Sequence, residues 1–212
     1  MRASTLALDS RLRPLAAGAE TLRRSELATL VLIGAVAAVL ASTMDLGLRI
    51  PGHRILYTIF PMAFGFSLVP RRGAGTVMGV SAVTTTGLFA LVGARVPGAG
   101  GLTSLALTGP LLDIAVRRRG RGWRLYAAFV LAGVMSNVAV FLVRGAAKAL
   151  AVPGLAGSRP FDEWLSVAVF TYAIAGFLAG LISAATWFEL RGCTDDGDEG
   201  SGLGTGRGAP VR

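Results

Sequence analysis

Six apolar stretches, strung together by short linkers, constrain this chain more than any other feature. They run over 27–46, 55–70, 74–94, 101–116, 125–143 and 164–188, with lengths of 20, 16, 21, 16, 19 and 25 residues. A helix needs about 20 residues to cross the hydrocarbon core of a bilayer. Only helices and closed barrels satisfy every backbone group in lipid, and unbroken apolar runs fit helices. The fold class expected is therefore all-α, a polytopic membrane bundle of six transmembrane helices. The linkers hold 8, 3, 6, 8 and 20 residues, too few for a soluble domain. The chain divides into an N-terminal tail, 1–26, a transmembrane domain, 27–190, and a C-terminal tail, 191–212. Gly, Ser and Asp dominate that last tail, a composition that predicts disorder. Only 16% of residues are charged, against roughly 25% in soluble domains.

The net charge of +9 invites a nucleic-acid reading, but the positions of the cations argue against one. With the N-terminus inside, fifteen of the 21 Lys and Arg residues fall in the tails and the 71–73 and 117–124 linkers. Six fall outside: Arg49, Arg54, Arg95, Arg144, Lys148 and Arg159. Such a bias orients a membrane protein. It predicts both termini in the cytoplasm, in a bacterial inner or plasma membrane, with the lipid bilayer as a partner and no nucleic acid. Trp123, Tyr126, Trp164 and Trp187 stand where interfacial aromatics are expected. Ala35-Val36-Ala37 mimics a signal-peptide cleavage site, but Asp9, Glu20 and Glu26 precede it and the apolar run continues past it. Cleavage is not expected.

Chemistry is sparse. Cys193 and His53 are the sole cysteine and histidine, so no disulfide, Cys/His metal centre or cofactor site is predicted. The acidic run Asp195, Asp196, Asp198 and Glu199 reads as solvated tail. Paired intramembrane carboxylates are absent, because Asp45 and Asp113 belong near opposite faces, and catalysis is not expected. Polar groups do gather in the outer linker and in spans four and five. Pro51-Gly52 sets a turn that leaves His53 and Arg54 at the mouth of span two, with Tyr57 one turn on. Arg54 serves either as an oxyanion fork or as a snorkelling anchor. Thr103, Ser104 and Thr108 precede Gly109-Pro110, where a break or kink is expected, and a break would free backbone groups. Asp113, four residues before Arg117, is expected to pair with it on the cytoplasmic side. Asn137 either bonds another helix or faces a ligand cavity. The 144–163 linker is read as a lid or a passive interfacial segment.

Small residues on span one complete the pattern. Ala37-Ala38-Val39-Leu40-Ala41 places Ala37 and Ala41 on one helical face. This is similar to the Ala-x-x-x-Ala face on helix one of substrate-binding (S) components of energy-coupling factor (ECF) transporters. With six spans and no soluble domain, residues 27–190 resemble that family. The resemblance implies that Ala37 and Ala41 dock a transmembrane coupling subunit, and that partner ATPase subunits supply energy. It also implies a small-molecule pocket near the outer face, formed by the first outer loop and helices four to six. His53, Arg54, Thr103, Thr108 and Asn137 are the polar groups available there. Arg2 stands where the cobalt and nickel branch carries histidine, so metal uptake is not expected. The function implied is uptake of a vitamin or related small molecule. The competing expectation is a structural or assembly membrane protein without transport activity.

Overall fold

The computed structural model describes residues 22–44, 52–119, 123–150 and 161–189, leaving aside the side chains of 117–119 and 189. The N-terminal tail through residue 21, the C-terminal tail with Cys193 and its acidic run, and residues 45–51 and 151–160 lie outside that description. So does the Arg117 side chain expected to pair with Asp113.

Six helices follow in order: α1 (Arg24–Thr43), α2 (Ile55–Leu68), α3 (Ala74–Leu91), α4 (Ala99–Arg119), α5 (Trp123–Ala149) and α6 (Phe161–Ala184). A π-helical turn, Ala185–Glu189, continues α6. Five helices are long and apolar enough to span a membrane, and α2, with 14 residues, is the short one. The protein is thus an all-α, multi-pass helical bundle. Hydroxyl groups inside these apolar helices fold back on their own backbone. Ser42, Thr86, Thr103 and Thr171 each donate to the carbonyl four residues earlier, at 2.8–2.9 Å. That bond lets a hydroxyl sit in hydrocarbon without a partner on another helix.

The helices α1, α3, α4, α5 and α6 form an arc, each packed on the next, and the arc curls around α2. The central helix touches all five others and bridges the arc's two ends. Its Ile59, Met62 and Ala63 are fully buried. Glycine brings the outer helices backbone to backbone. A Cβ on Gly133 would strike the Gly176 carbonyl, and one on Gly176 would lie 2.7 Å from the Gly133 carbonyl oxygen. Gly75 and Gly109 meet in the same way across α3 and α4. In lipid, where apolar surface gains nothing by leaving its solvent, such close packing supplies much of the association energy.

Two expectations need correction. Pro110 does not break its helix: α4 runs unbroken from Ala99 to Arg119. The lost N–H costs one bond to Ala106, while tight packing of Gly109 on Gly75 holds the segment in place. The last apolar run of α5 also does not end at residue 143. The helix continues to Ala149, so Arg144 and Lys148 are helical residues and not loop residues.

The faces of α1 carry a third correction. Ala37 is fully buried and Ala41 is 8% exposed. Gly34, one turn before Ala37 and Ala38, lies against the Met78 carbonyl and Ser81 of α3. The small-residue face expected to dock a coupling subunit is covered by this chain's own helices. Asp113 also reaches across to α3. Its carboxylate accepts from the backbone N–H groups of Gly75 and Thr76 at 3.1 and 2.7 Å, and from the Thr76 hydroxyl at 2.6 Å. Those are the first free amides of α3, so Asp113 caps that helix from α4, where a negative charge also meets the positive end of its dipole.

Candidate functional site

The start of α2 is set deep in the bundle. Asn137, in the middle of α5, donates through Nδ2 to the Gly52 carbonyl at 3.2 Å and to the Tyr172 carbonyl of α6 at 2.8 Å. Asn137 lies twelve residues before the end of α5, and Tyr172 eleven after the start of α6. At 1.5 Å per residue, the Gly52 turn sits about 16–18 Å below their outer ends. The outer third of the bundle therefore has no α2 between its walls.

Only glycine fits at position 52. Its φ of +87° lies in the left-handed region, which disfavours side chains. A Cβ there would also lie 3.0 Å from Asn137 Nδ2 and 3.1 Å from the Tyr172 Cα. The Gly52, His53 and Arg54 carbonyls accept from the N–H groups of Ile55, Leu56 and Tyr57 at 3.2–3.3 Å, which starts the helix. The Tyr57 ring stands edge-on to His53, with centroids 6.4 Å apart. Its hydroxyl is buried and meets no hydrogen-bond partner among the described residues. Buried polar groups nearly always find a partner, so an unmet one calls for an explanation, such as a water, an ion or a ligand.

Beside this turn runs a buried polar seam. Ser104 donates to Thr58 at 3.2 Å, and Thr108 and Ser136 share a hydrogen bond of 2.7 Å. On the outer side of the seam, Arg144 donates to the Tyr172 hydroxyl at 3.0 Å. The Trp164 ring stacks on Phe141 at 5.3 Å, and the Lys148 ammonium sits 5.8 Å from its centroid. At 6% exposure Trp164 packs inside the bundle.

The five expected pocket residues therefore separate. His53, Arg54 and Asn137 come together at the head of α2. Asn137 spends its donors on protein carbonyls, so it seats the turn. Thr108 is fully buried and engaged with Ser136, and the Thr103 hydroxyl is satisfied by its own helix. Tyr57, read from the sequence as lining the same mouth, stands beside His53. The structure adds Arg144 and Tyr172. Tyr172 carries a polar tip on an apolar body, a signal easily lost in a hydrophobic run. Arg144 was read as the first residue of a loop. Comparison with protein families, with curated proteins and with solved structures finds no match for this chain.

Proposed function

We propose that this chain is the membrane-embedded solute-binding subunit of an ECF-type uptake transporter in a bacterial cell membrane. A vitamin or related small molecule enters from the outer face and rests on the inset head of α2. A transmembrane coupling subunit and ATPases then drive its release inward. The buried, unmet Tyr57 hydroxyl carries this reading, because it offers a hydrogen bond at the base of a region the central helix leaves open. The covered Ala37 and Ala41 face takes no part in it, and the coupling subunit uses another surface.

The test has two arms. A thermal-shift screen of vitamins and precursors on the purified chain should yield a solute whose stabilisation falls in Tyr57→Phe. Purification from native membranes should recover ATPase subunits in stoichiometric amount. A screen without a single stabilising solute refutes solute binding. Repeated recovery of the chain alone refutes energy coupling, and both failures together favour the structural or assembly role.

A further inference from the structure

We infer that the solute is an oxyanion, a carboxylate or phosphate ester, and that Arg144 grips it. This rests on the solute-binding reading above and deepens it. Arg144 lies two turns beyond Asn137 on α5, on the same face. Two contacts hold its exposed side chain against neighbouring helices. Its Nη1 donates to the hydroxyl of Tyr172, which is 1% exposed. Its stem runs along α4, where a Cβ on Gly100 would lie 3.0 Å from the Arg144 Cδ. The guanidinium is thus held between α4 and α6, above the head of α2.

A guanidinium offers five N–H donors in a planar fork that matches a carboxylate or phosphate. The Tyr172 hydroxyl occupies one. Among the described residues no carboxylate pairs with Arg144. Lys148 stands one turn further out on the same helix, and Arg54 is in the turn at the head of α2. The described acids at that end, Asp162 and Glu163, are exposed in the first turn of α6. Tyr172 acts as a positioning residue, since its carbonyl is held by Asn137 and its hydroxyl by Arg144.

A lipid headgroup offers the same oxyanion chemistry as a free solute, so the experiment separates them. The full chain in maltoside micelles is titrated with matched pairs: nicotinate and nicotinamide, pantothenate and pantothenol, pyridoxal phosphate and pyridoxal. Short-chain phosphatidylglycerol is titrated alongside. At least one acid should stabilise the protein while its neutral partner does not. Arg144→Gln should weaken that acid at least tenfold, Arg144→Lys should restore part of the loss, and Arg95→Gln should change it less than twofold. Preference for neutral members, or an Arg144→Gln affinity equal to wild type, overturns the inference and leaves solute binding standing. Stabilisation by phosphatidylglycerol alone makes Arg144 a headgroup anchor and overturns it too. Binding of no member of any pair overturns both readings.

Discussion

Replacing Asn137 with alanine tests how the head of α2 is seated. The side chain is 2% exposed and makes two donations that join three segments: the Gly52 turn, α5 and α6. Hydrogen bonds between membrane helices are worth about 0.6 kcal/mol on average and about 1.7 at most, so losing both should cost about 1–3 kcal/mol. Equilibrium unfolding in mixed detergent micelles, followed by circular dichroism, measures that loss. Thr103→Ala is the control, because its hydroxyl bonds only within α4, and it should stay within about 0.5 kcal/mol of wild type. Hydrogen exchange adds a local readout. The amides of Ile55, Leu56 and Tyr57 bond to the turn carbonyls, and in Asn137→Ala they should exchange faster than amides of α1. If Asn137→Ala unfolds with Thr103→Ala, and its α2 amides stay protected, then Asn137 does not hold the turn and the depth assigned to the site is wrong.

Further substitutions probe the bundle. Gly133→Ala sets a Cβ against the Gly176 carbonyl and should cost about 1–3 kcal/mol through overpacking; Gly87→Ala, with open space around it, should stabilise by about 0.5–1 kcal/mol. Asp113→Ala removes the cap of α3 and should cost about 0.5–2 kcal/mol in the same unfolding assay, with Asp113→Asn intermediate. Ala41→Leu should destabilise the isolated chain by about 1–3 kcal/mol. An unchanged unfolding midpoint would return that face of α1 to the surface.

The apolar runs announced the helices because desolvation of a backbone in lipid leaves few options, and those runs are visible in one dimension. Their ends were less legible. Charge was taken to end span five at Arg144, yet a cation near a helix C-terminus is stabilised by the dipole, and a long side chain carries its charge away from the apolar stem. Proline was taken to break span four, although neighbouring helices support a bent or incomplete ladder. Asn137 stood out because an amide at depth needs a partner, but its two carbonyl partners lie 85 and 35 residues away. Nothing local encodes such distances. The covering of Ala37 and Ala41 was equally hidden, since small residues at a spacing of four suit an internal contact and an external one alike.

The central place of α2 has a consequence for biogenesis. This helix leaves the ribosome second, yet four of its neighbours, α3, α4, α5 and α6, are synthesised after it. Until they arrive, Thr58 lacks Ser104 and the Gly52 turn lacks Asn137. A 14-residue helix is also short for the bilayer it must occupy meanwhile. Its final seating is therefore a late event, gated by the emergence of α6, and chains truncated before that helix should hold α2 loosely and meet the membrane quality-control proteases first.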